Sequence, residues 1–192
     1  MVEATLAIHP HWTVDLLRQM PQVAGERYEL IQGELHATTQ SHTRHQIACT
    51  RLATELNNWS QPTGVGIAIG APGLVYADNE AVAPDVVWVS HQRLAELLGD
   101  DGKLHGSPEL IVEVLSPGKA NEVRDRELKL ELYARHGVRE YWIADWRTSM
   151  ISVYRWVEAD FALVETLQSG EILTSPLLPG FACAVERLFA LA

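Results

Sequence analysis

The chain has 192 residues, 47% of them hydrophobic and 21% charged, which suits one soluble domain with a sizeable core spanning 1–192. Its formal net charge of −10 argues against capture of nucleic acid by bulk attraction, although a local groove can be basic on an acidic protein. No apolar run is long enough to cross a bilayer, and MVEATLAIHPHW lacks the basic and apolar regions of a signal peptide, so the expected location is cytoplasmic, with no membrane partner.

Thr13 to Met20 reads as a short helix capped by Thr13. Tyr28 to His36 alternates around Gln32-Gly33 as a β-hairpin. Ser41 is placed to cap a long helix running to about Trp59, with Ala48, Leu52, Leu56 and Trp59 as its apolar stripe. Gly64 to Tyr76 holds short strands broken by Gly70-Ala71-Pro72-Gly73. Pro84 to Val89 is a strand, and Ser90 caps a short helix through Leu98. Glu109 to Leu115 is the central strand, stopped by Ser116-Pro117-Gly118. Asn121 to His136 is a helix closed by Gly137. Arg139 to Ala144 is a strand with Tyr141 and Ile143 on one face and Trp142 on the other. Met150 to Val157 and Phe161 to Leu167 form a hairpin, and a last strand and short helix follow Pro179-Gly180. The pattern is one α/β (α+β) domain, a mixed sheet with a helical crossover between 109–115 and 139–144.

Glu113 is the most informative residue. It sits inside Leu110-Ile111-Val112-Glu113-Val114-Leu115, which otherwise reads as a fully buried strand. A carboxylate there is costly to ionise unless a cation or hydrogen-bond donors compensate. Asp85 opens the similar run Pro84-Asp85-Val86-Val87-Trp88-Val89. Two acids on apolar strands suit Mg²⁺ or Mn²⁺, which take oxygen ligands. The Val114 carbonyl offers a further oxygen.

Lys129 is the candidate lysine, because Asp125, Lys129 and Tyr133 share a helical face. Spacing alone favours a plain Lys129–Asp125 pair, and the whole 119–139 segment reads as a solvated, charge-paired helix. Glu34 at the hairpin and His45 near the start of the long helix are further candidates, for water-mediated metal binding and for acid or phosphate contact. Taken alone, both read first as ordinary exposed residues. A zinc site from Glu34, His42 and His45 is a weaker alternative. No phosphate-binding glycine loop or nucleophile elbow is present, and Cys49 and Cys183 form no CxxC. Cys49 lies on a helical face where packing is expected.

The order Tyr28-Glu29-Leu30-Ile31-Gln32-Gly33-Glu34, Arg44-His45, Ala83-Pro84-Asp85, Pro108 to Pro117, Lys129, Tyr133 and Gly137-Val138-Arg139-Glu140-Tyr141-Trp142 resembles the Uma2 family (DUF820). That family looks like a branch of the PD-(D/E)XK, restriction-endonuclease-like superfamily. The match covers about residues 13–190. It implies a central mixed sheet flanked by helices with added hairpins, and a metal site of Asp85, Glu113 and Glu34. It also implies that the lysine usually two residues after the second acid, where this chain has Leu115, has moved to Lys129; Lys119 is the weaker alternative. The implied activity is divalent-metal-dependent endonuclease cleavage of nucleic acid, with DNA the expected partner. Asp85, Glu113, Lys129 and Glu34 would be catalytic, and His45, Arg44 and Tyr133 would contact substrate. The alternative is a non-catalytic nuclease-fold protein that binds DNA or protein. Separately, the apolar hairpin 150–167 suits equally a homodimer contact or a hairpin folded wholly onto its own domain.

Overall fold

The computed structural model describes residues 11–21, 26–38 and 41–191. Helix α1 (Val14–Gln19) starts at Thr13, whose hydroxyl accepts from the Leu16 amide. Strands β1 (Arg27–Ile31) and β2 (Glu34–Thr38) pair as an antiparallel hairpin. Gln32 and Gly33 both adopt positive φ, 52° and 79°, as a two-residue hairpin turn requires. Helix α2 (Thr43–Thr63) is capped by His42 rather than Ser41: the His42 Nδ1 accepts from the Arg44 amide at 3.1 Å. It runs past Trp59 to Thr63, with Pro62 in its last turn, and ends at Gly64 in the left-handed conformation.

Then follow β3 (Gly66–Gly70), β4 (Leu74–Ala77), β5 (Glu80–Val82), β6 (Val86–Ser90) and α3 (His91–Leu97). Strand β7 (Leu110–Val114) leads into α4 (Lys119–Val123), a π-helical turn (Arg124–Leu128) and α5 (Lys129–Arg135). The remainder is β8 (Glu140–Asp145), β9 (Met150–Val157), β10 (Asp160–Leu167), β11 (Ile172–Thr174), β12 (Ala182–Ala184) and α6 (Val185–Phe189). The short β5 and β11 were not expected from the sequence; three residues are too few to show a period of two.

The main sheet has the order β10-β9-β8-β7-β6-β3. Only β7 and β8 pair in parallel, joined by the expected helical crossover. A second sheet, β2-β1-β5-β4, packs beside it. The main sheet is covered on both faces. Leu110, Val112, Val114, Trp142 and Ala144 face a core shared with Ala48, Leu52 and Leu56 of α2. Ile111, Leu115, Tyr141 and Ile143 face a second core with Leu132 and Tyr133 of α5. This alternation follows from the strand period of two and puts Glu113 on the α5 side. Among the described residues no helix is long and apolar enough to cross a membrane.

Candidate active site

Three elements bring charged side chains to one cleft of about 540 Å³: the β1–β2 hairpin, the β6–β7 strand ends and the crossover helix. Asp85 immediately precedes β6, and its Oδ2 accepts from the Val114 amide at 2.9 Å and stands 3.1 Å from His45 Nε2. Its Oδ1 is 3.8 Å from the Arg27 guanidinium. Glu113 Oε1 accepts from Lys129 Nζ at 2.9 Å and from the Tyr133 hydroxyl at 2.8 Å. Lys129 also contacts Glu29 at 2.8 Å and lies 3.9 Å from Asp125. Arg124 closes the network, 3.0 Å from Asp125 and 3.7 Å from Glu29. Lys129 is 2% exposed, so these ion pairs are desolvated ones.

The lysine reaches the carboxylates because of the crossover's helical phase. Asp125, Lys129 and Tyr133 do share a face, and that face returns onto the end of β7. The π-turn adds a residue to one helical turn, which lets Arg124 and Lys129 approach Glu29 together. Such turns recur at functional sites.

Asp85, Glu113, Lys129 and His45 therefore converge, and all four line the cleft. The other expected residues lie elsewhere. Glu34 is exposed beside the hairpin turn, paired with Ile31, and does not line the cleft. The hairpin acid in the cleft is Glu29, 2% exposed. Arg44 is exposed on the first turn of α2, outside the cleft lining. Tyr133 is fully buried behind Glu113 and reaches the site only through that hydrogen bond. Donors near His45 are Cys49 and Asp85, within 4.8 Å of one another, rather than Glu34 and His42. His45 is buried, with Cys49 Sγ 3.4 Å from its Nδ1. Burial and the Asp85 charge push the Cys49 thiol far up, so it stays protonated and packs.

Arg124 and Glu29 are the additions that sequence reasoning missed, and Asp125 entered it only as a pairing partner for Lys129. Their segments read as an ordinary charge-paired helix and a half-exposed strand.

The electrostatics are uneven. Burial raises the Glu29 carboxyl, but the Lys129 and Arg124 cations more than offset it, so its pKa falls below the ordinary value. Burial likewise opposes Asp85, and His45, the Val114 amide and Lys129 bring it down. Glu113 goes the other way. Burial, with repulsion from Asp85, Asp125 and Glu29, pushes it up to about 8 despite Lys129. Four carboxylates thus face two buried cations, and the negative excess falls on Glu113. Glu113 Oε2 and Asp85 Oδ1 accept no hydrogen bond from the described residues. Excess negative charge with free carboxylate oxygens fits a hard divalent cation.

The fold is shared with a solved structure. It superposes with a TM-score of 0.72 on a protein from Anabaena variabilis ATCC 29413 described as a "putative nuclease belonging to DUF820", at 16% identity, over 92% of this chain and 97% of that one. The chain belongs to the Uma2 family, described as "Putative restriction endonuclease", whose model matches residues 14–186. No match was found among curated proteins.

Proposed function

We propose that this protein is a divalent-metal-dependent endonuclease that hydrolyses phosphodiester bonds of nucleic acid, with DNA as substrate. The observation that carries the reading is the Lys129 ammonium within 3 Å of both Glu113 and Glu29. It supplies from the helix the cation that Leu115 does not supply from the strand, which favours the catalytic reading over a purely binding module.

Asp85 and Glu113, through their free oxygens, would hold Mg²⁺ or Mn²⁺, with Glu29 rather than Glu34 as the hairpin acid. Bound metal supplies charge neutralisation at the phosphate and a water activated near neutral pH. Lys129 is held protonated, because the Glu113, Glu29 and Asp125 charges outweigh the cost of its burial. It therefore acts as a fixed cation that orients the attacking water and stabilises charge growing on the phosphate, not as a general base. His45 holds Asp85 in place from behind. Arg124 lines the same cleft and offers a guanidinium to a non-bridging oxygen. The test is cleavage of single-stranded and duplex DNA and RNA with Mg²⁺, with Mn²⁺ and with EDTA. Metal-dependent product is expected; intact substrate in every combination would reject the enzyme.

A homodimer belongs to the same reading. Strand β10 is one edge of the main sheet, and Leu163 and Val164 on it are exposed, as are Trp156 and Val157 on β9. Such a patch suits a second copy. Light scattering after size exclusion should give twice the mass of 21.4 kDa, and Leu163→Lys should halve it. A monomer mass at every concentration would remove the dimer.

A further inference from the structure

Beyond the charged network, the mouth of the cleft carries two stacked rings. His42 lines the cleft, and its imidazole lies on the Trp146 indole with centroids 4.7 Å apart and planes 14° from parallel. Neither ring is loosely held. His42 Nδ1 accepts from the Arg44 amide, the cap of α2, which puts the ring proton on Nε2. The Trp146 Nε1 donates to the Leu115 carbonyl at 3.0 Å, just past the strand that carries Glu113. One face of the imidazole is covered by Trp146, yet His42 is exposed. The residue as a whole is exposed and borders the cleft, and the ring face turned away from Trp146 is the one a ligand there would meet.

We infer that His42, backed by Trp146, is a stacking platform for an unpaired nucleobase of the substrate. The inference rests on the nucleic-acid reading above and narrows it to single-stranded or locally unpaired chains. Three physical points favour a base as the occupant. The chain carries a net charge of −10, and five carboxylates line the cleft against the three cations Arg27, Arg124 and Lys129, so attraction for phosphates is weak away from the metal. Stacking is insensitive to that repulsion and is open to any base. Rings fixed by a cap and by a backbone hydrogen bond lose little freedom on binding. A base inside a duplex has both faces covered by its neighbours, so only an unpaired one can use the platform.

The experiment is fluorescence anisotropy with a short fluorescein-labelled DNA strand, its blunt duplex, and the same strand made entirely abasic, each in Ca²⁺ and in EDTA. Wild type should bind the single strand more tightly than the duplex. His42→Ser keeps an oxygen at the cap and removes the ring; it should weaken single-strand binding about tenfold. On the abasic strand wild type should show that same loss, and His42→Ser should add nothing. Trp146→Leu should match His42→Ser if its circular dichroism is native. Tighter duplex binding, a His42→Ser loss that persists on the abasic strand, or no binding to any strand would overturn the inference. Binding of this pattern without hydrolysis in Mn²⁺ would remove the catalytic reading alone. Hydrolysis with base-indifferent binding would remove the platform alone.

Discussion

Asp85→Asn and Glu113→Gln should each lower metal-dependent cleavage by at least about 10²–10³-fold, yet move metal-free stability in opposite directions. Both substitutions remove an oxygen charge that would face the metal. In Asp85 the two hydrogen bonds fall on the same oxygen, Oδ2, one to the Val114 amide and one to His45. The Asn carbonyl can keep both, so the loss should be about 1 kcal/mol or less. Glu113 differs because its pKa rises in the fold from 4.5 to about 8. A raised carboxyl pKa means that the folded protein binds more protons than the unfolded chain between those values. The metal-free protein should therefore lose stability as pH rises from about 4.5 to about 8. Glu113→Gln, which keeps an oxygen for Lys129 and Tyr133, should flatten that slope and melt higher than wild type near neutral pH. Glu29 and Asp85, with lowered pKa values, work in a separate window: their stabilisation is lost as pH falls into the acid range below their ordinary values. Thermal melts across pH in EDTA, with Mn²⁺ titrations beside them, separate these effects. A wild-type slope of opposite sign, or Mn²⁺ stabilisation surviving in both variants, would reject the assignment.

The parts of the site legible in the sequence were those where burial and charge conflict within one short segment. Glu113 stood out because its five neighbours are apolar and a strand of that kind is buried on both faces. Lys129 was legible only as a helical spacing, since its Asp125 neighbour explains it better until the face is seen to return onto β7. The hairpin was harder. Both Glu29 and Glu34 lie on it, and on this hairpin they even share a face, because Glu29 pairs with His36 and Glu34 with Ile31. Only tertiary packing distinguishes the acid under Lys129 from the one at the turn. The π-turn leaves no pattern of its own, so Arg124 read as part of a solvated helix. The His42 cap was hidden by Ser41, a better capping residue by type, one position earlier. The chain order of strands and the parallel β7–β8 pair were readable because turns and the helical crossover punctuate them.

Lys129→Met should be the most damaging substitution in the cleft. Lys129 is the only cation within 3 Å of both Glu29 and Glu113 among the described residues, and water does not replace it at 2% exposure. Met fills a similar volume, so the effect is of charge rather than of a cavity. Removing one partner of a buried ion pair costs about 3–5 kcal/mol. For a chain of this size that lowers Tm by roughly 10 °C. The Lys129 charge is also the first of the attractions that hold Glu29 below its ordinary pKa. Without it, Glu29 and Glu113 should both take up protons in the fold, and metal-free stability should fall more steeply with rising pH than in wild type. A divalent ion would then meet a site with no competing ammonium, so Mn²⁺ should raise the Tm of Lys129→Met by more than that of wild type. Cleavage should still fall by about 10²–10³-fold, since metal restores the charge balance but not the fixed ammonium beside the phosphate. Recovery of both stability and cleavage on adding Mn²⁺ would show that Lys129 only balances charge in the resting cleft. Stability restored with cleavage still lost is the outcome that its position between Glu29 and Glu113 requires of a catalytic group.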